Sequence, residues 1–159
     1  MSSVRTYLLF IPIVFFYVNC STAEKVNENS SVDVVQTTVD AWFDLMPGTS
    51  PGKFHLQGKI KLANSSSSDI ENLDLKSISV YSNEQVIYNF KPYFNPMINE
   101  DDYSLKIGGS KEFNFGTESG MKIDSRLGES NIIGVKLNFT FGEDNFIYEV
   151  NDVEIMQVY

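Results

Sequence analysis

The chain has 159 residues, with 21 acidic side chains against 12 basic ones for a net charge of −9, and one cysteine. That balance argues against nucleic acid or an anionic membrane surface as partner, because both are bound through positive charge. One cysteine excludes an internal disulfide, so the fold must rest on a hydrophobic core, and the length suits one domain rather than two.

Residues 1–19 read as an export signal. Arg5 supplies the positive start, and Tyr7 to Val18 form an apolar run of twelve residues broken only by Pro12. A signal-peptide apolar region is about 7–15 residues long, whereas a spanning helix needs roughly 20. Tyr17-Val18-Asn19-Cys20 resembles the lipobox of bacterial lipoproteins, in which the cysteine thiol is lipidated and becomes the first mature residue. Cys20 is the position that carries over. The pattern departs from that family at Tyr17, where Leu is usual, and at Asn19, where Gly, Ala or Ser is usual. The resemblance implies an extracytoplasmic protein of the cell envelope, lipid-anchored to a membrane, with about 0.8 kcal/mol of hold per buried methylene. The alternative is ordinary cleavage after Ser21-Thr22-Ala23, giving a secreted chain that starts at Glu24 and discards Cys20.

With the leader gone, the 12 basic residues less Arg5 leave 11 against 21 acidic ones, a net charge of −10. Residues 20–31 are polar and without periodicity (STAEKVNENSS from Ser21), which reads as a flexible tether. Residues 32–159 then form the domain.

Its dominant pattern is alternation of period two. Val32 to Leu45 reads as one long strand or two short ones. Met46-Pro47-Gly48-Thr49-Ser50-Pro51-Gly52 is a turn-rich connection, since proline is excluded from central strands. Phe54, Leu56, Ile60 and Leu62 share one strand face, with His55, Gln57, Lys59 and Lys61 on the other. Asn64 to Asp69 is a polar loop. Leu73 and Leu75 lie on odd positions but Ile78 and Val80 on even ones, a phase change that predicts a bulge. Val86, Tyr88 and Phe90 follow Ser82-Asn83-Glu84-Gln85, and Tyr103, Leu105 and Ile107 lead through Gly108-Gly109 to Phe113 and Phe115. Ile133, Val135, Leu137, Phe139 and Phe141, then Phe146, Tyr148 and Val150, make a hairpin across the four-residue turn Gly142-Glu143-Asp144-Asn145. Roughly seven to nine short strands with turns between them predict an all-β, antiparallel immunoglobulin-like β-sandwich, with a small barrel as alternative.

Candidate chemistry is sparse. His55 is the single histidine, and no serine is marked out beside it as a Ser-His-Asp set requires. Structural zinc lacks ligands, and a thioether copper set of Met46, His55, Met97 and Met121 has no motif spacing. Calcium has hard-oxygen clusters at Asn99-Glu100-Asp101-Asp102, at Glu143-Asp144-Asn145 and at Asn151-Asp152 with Glu154, none in an EF-hand spacing. Beyond the signal, three Asn-x-Ser/Thr triplets start at Asn29, Asn64 and Asn138 and would be glycan acceptors in a eukaryotic secretory pathway. Trp42, Tyr93 and Phe94 are candidate contact residues, with the core as their alternative place. The expectation is therefore a non-enzymatic, cofactor-free lipoprotein, its sandwich serving protein or glycan binding or envelope structure. A carbohydrate-active enzyme with paired carboxylates is a more remote reading.

Overall fold

A computed structural model describes residues 23–25, 31–48, 51–98, 102–127 and 131–159. Cys20 and the apolar run Tyr7 to Val18 lie outside them, and among the described residues no helix is long and apolar enough to cross a membrane.

Ten strands follow in chain order among those residues: β1 (Ala23–Lys25), β2 (Val32–Asp44), β3 (Lys53–Asn64), β4 (Asp74–Ser82), β5 (Gln85–Phe90), β6 (Tyr93–Pro96), β7 (Ser110–Gly116), β8 (Met121–Lys122), β9 (Ile132–Phe141) and β10 (Asp144–Val158). A 3-10 turn, Ser125–Leu127, precedes β9. The strands hydrogen-bond in the order β5-β4-β9-β10-β2-β3-β7-β6, with β1 added to β10 and β8 added to β3. β1 falls within the stretch read as a tether, and its three residues pair with Tyr148 to Val150.

The domain is all-β, as the alternation predicts, but its sheet is mixed rather than wholly antiparallel. Ile155 to Val158 of β10 run parallel to Ala41 to Asp44 of β2. Parallel neighbours need a long crossover, and here almost the whole domain provides it. β10 therefore serves two halves of one curled sheet: its first part pairs with β9, its last four residues with β2.

The halves face each other across an aromatic core. Phe94 stacks on Phe113 at 4.5 Å in one half and meets Phe139 of the other edge-on at 5.8 Å. Phe54 stacks on Tyr88 at 5.0 Å, and Phe139 on Phe146 at 4.7 Å. The apolar residues of β3 and β9 named from alternation are all buried.

Bulges keep the core face in phase. In β4 the register with β9 shifts between Leu75 and Ser77, so Leu73, Leu75, Ile78 and Val80 are all buried despite the change from odd to even. In β10 the shift falls between Val150 and Val153 and turns Val153 and Ile155 inward, with Asp152 at φ +58°. Asn151-Asp152 is thus a bulge within a strand and not a ligand loop.

The β9–β10 connection is tighter than the four residues read from composition: Phe141 pairs with Asp144, leaving Gly142-Glu143. Gly142 takes φ +58° at the first central position, where a type II′ turn places glycine. Tyr103 to Ile107 is no strand; Leu105 makes one bridge to Ile70, and Ile107 is exposed.

Candidate binding face

Alternation leaves one face of β2, β3, β7 and β6 pointing away from the core, and the register aligns its side chains in rows. Asp40, Gln57, Gly116 and Tyr93 form one row across the four strands. Thr38, Lys59, Asn114 and Asn95 form the next. A flanking row begins with Gln36, Lys61 and Glu112. Between these side chains, with Pro96 and Met97 at one margin, lies a groove of about 420 Å³, a volume within the range of ligand sites.

The groove has a local cause. Gly116 interrupts the first row, and a Cβ there would stand 2.5 Å from the Leu56 carbonyl oxygen and 3.1 Å from Tyr93 Oη. Its absence lets the Tyr93 phenol lean across the row. Partial burial pushes that phenol's pKa up. Beneath, Gly58 makes room for the Phe115 ring, whose Cζ lies 2.4 Å from where a Cβ would stand.

Four of the groove's polar side chains are unspent. Among the described residues, the side chains of Asp40, Gln57, Lys59 and Asn114 make no hydrogen bond or ion pair with one another or with anything else. Asn95 Oδ1 accepts a long bond from Tyr103 Oη at 3.3 Å. The outer face of the other half is different. There the Tyr81 ring covers Gly134, and Tyr81 Oη donates to Asn151 Oδ1 at 2.6 Å. Lys136 lies over the same ring at 5.2 Å and pairs with Glu149 at 2.7 Å. Burial first, then the Glu149 charge, raises the Tyr81 pKa. That cluster satisfies itself.

At the end of the groove face, Trp42 and His55 are cross-strand partners with rings stacked at 5.1 Å and 7°. The imidazole also abuts Gly120 at φ +71°, where a Cβ would come 2.5 Å from Cε1 and 2.6 Å from Nε2. Among the described residues no carboxylate or serine hydrogen-bonds His55, so no nucleophile-and-base set is assembled around it.

The remaining candidates are dispersed. Met46 is exposed after β2, Met97 is exposed after β6, and Met121 is half-buried on β8. Of the calcium candidates, Glu100 and Asp101 lie outside the described residues. Asp102 is committed to Lys111 at 2.7 Å and to Ser104 Oγ at 2.7 Å, which hold its carboxyl well below the usual carboxylate range. Glu143 sits in the β9–β10 turn and Asp144 opens β10. Among the described residues no three His, Cys, Asp or Glu side chains gather to hold a metal. Phe94 is core, whereas Tyr93 and Trp42 stand on the groove face. Asn64 is buried, Asn29 lies outside the described residues, and Asn138 points outward from β9.

Sequence reasoning named Tyr93 but missed Thr38, Asp40, Asn95 and Asn114. Each sits at a polar position of an alternating strand, yet their neighbourhood depends on β3 pairing with β7 across the chain, which alternation does not encode. Comparison with known proteins gives no match: no family model, no curated protein and no solved structure is similar to the chain.

Proposed function

We propose that this protein is a non-enzymatic lipoprotein, held outside the cytoplasm through an acylated Cys20, whose domain binds a partner through the β2-β3-β7-β6 face. The observation carrying this reading is a concavity lined by unpaired polar side chains on one sheet face, whereas the Tyr81 cluster on the other pairs its own groups. Buried polar groups usually find partners within the fold, so exposed unpaired groups gathered in a concavity are available to a ligand. The export signal and Cys20 supply the location.

At the level of fold, the same reading takes the domain as an immunoglobulin-like sandwich. In that arrangement strands A-B-E-D form one sheet and C-F-G, extended by C′, the other. The orders β2-β3-β7-β6 and β5-β4-β9-β10 correspond to them term by term, which supports the assignment. The rival, a secreted glycoprotein cleaved after Ala23, has Asn138 in its favour, since that triplet stands on an outer strand face.

A photo-crosslinking residue placed at Asn114 in the intact, membrane-held protein tests the reading, with the same residue at Lys136 as control. Adducts are expected at position 114 and not at 136, and labelled palmitate should enter the wild type but not Cys20→Ser. Equal crosslinking at both positions, or none, overturns the binding face. Palmitate uptake indifferent to Cys20 overturns the anchor.

A further inference from the structure

We infer that the groove's ligand is a neutral, hydroxyl-rich oligosaccharide; the inference rests on the β2-β3-β7-β6 face being the binding face. Two cross-strand rows present complementary groups side by side, each row about 14 Å long at three interstrand spacings. Gln57, Asn114 and Asn95 are primary amides, each carrying both a donor and an acceptor on one plane. That is the pairing a vicinal diol asks for, one hydroxyl donating to the amide oxygen while its neighbour accepts from the amide nitrogen. Asp40 adds an acceptor, Lys59 a donor, and Tyr93 an aromatic surface for the apolar C–H face of a pyranose.

Other ligand classes fit less well. An anion would face Asp40 and the field of a chain whose net charge is −9. A cation would meet Lys59 without the several converging carboxylates it needs. An apolar ligand would strand the groove's amides without partners, which disfavours it. An extended peptide would be expected to add to a sheet edge, but the edge beside the groove is β6, four residues long with Pro92 before it and Pro96 at its end. An oligosaccharide needs no sheet edge and uses both donors and acceptors.

The experiment uses the full mature protein in detergent micelles and four neutral probes: cellohexaose, maltohexaose, chitohexaose and xylohexaose. Calorimetry and amide chemical shifts are recorded for each, with polygalacturonate as the anionic control. At least one probe is expected to bind, with shifts concentrated at Gln57, Asn95 and Asn114. Gln57→Ala and Asn114→Ala should each weaken that binding at least tenfold with Tm unchanged. Silence from all four probes, binding indifferent to both substitutions, or equal binding of polygalacturonate overturns the saccharide assignment. Silence here together with persistent crosslinking at Asn114 leaves the binding face standing and moves its ligand to another class. Silence in both removes the face as well.

Discussion

Asn64 carries more of the fold than its place in a serine-rich loop suggests. It is 3% exposed, and its side chain makes four hydrogen bonds. Nδ2 donates to the carbonyls of Ser68 at 2.8 Å and Leu105 at 2.9 Å, while Oδ1 accepts from the amide and the hydroxyl of Ser66. The loop after β3 is thereby fastened to the segment that leads into β7. The triplet Asn64-Ser65-Ser66 reads from sequence as a glycan acceptor, but the folded amide is spent on the protein's own backbone. Sequence could not reveal this, because Leu105 lies forty-one residues away in the chain. Removing a buried group that satisfies several others costs about 2 kcal/mol, roughly 6–10 °C in Tm for a domain of this size. Asn64→Ala should show that loss in thermal unfolding followed by circular dichroism. Asn64→Asp keeps the volume but turns a donor into an anion facing two carbonyls, so it should be at least as damaging. A mild Asp variant would mean that Asn64 matters for its volume and not for its amide.

At the scale of elements, strands were legible wherever one face is dry. β3 and β9 follow from alternation, and even the β4 bulge is visible as a slip from odd to even. The bulge in β10 was not, because Asn151-Asp152 looks like any acidic turn until Val153 and Ile155 are seen to resume the core face. Turn length was misjudged at Gly142-Glu143 for a related reason: polar composition marks a turn, while register decides how many residues it spends. The β4–β5 hairpin offers a test of turn chemistry. Its central residues Asn83 and Glu84 sit at φ +48° and +64°, the signature of a type I′ turn. Asparagine tolerates that region, but a glutamate held there costs about 1–2 kcal/mol. Glycine at that position gives back part of the gain through the greater freedom of its unfolded chain. Glu84→Gly should therefore stabilise the domain by about 0.5–1 kcal/mol, read as a raised urea midpoint with unchanged m-value. A lowered midpoint would show that the turn does not constrain Glu84 in the folded protein.

The whole molecule depends on a seam that no local pattern announces. Nothing within β2 or β10 says that the first long strand will lie parallel to the last, and the groove owes its four-strand floor to the same long-range order. β10 changes partner at Ile155. Its amide donates to the Asn131 carbonyl at 2.7 Å beside β9, while its Cα is paired with Ala41 on β2, and its side chain is 4% exposed. One buried residue thus stands where the two halves of the curled sheet are joined. Truncating a buried isoleucine to alanine removes its transfer energy and leaves a cavity, together about 2–5 kcal/mol. Ile155→Ala should lose about that much, whereas Ile147→Ala, on an exposed position of the same strand, should stay within about 0.5 kcal/mol. The seam makes a further demand on how the loss is distributed. Trp42 on β2 reports one half of the sheet through its fluorescence, and amide exchange along β9 reports the other. If β10 couples the halves, Ile155→Ala lowers the Trp42 unfolding midpoint and the β9 protection together, by the same free energy. A Trp42 transition that shifts while β9 keeps its protection would show two halves that unfold independently, with the parallel pairing a contact between them and not the joint that makes them one domain.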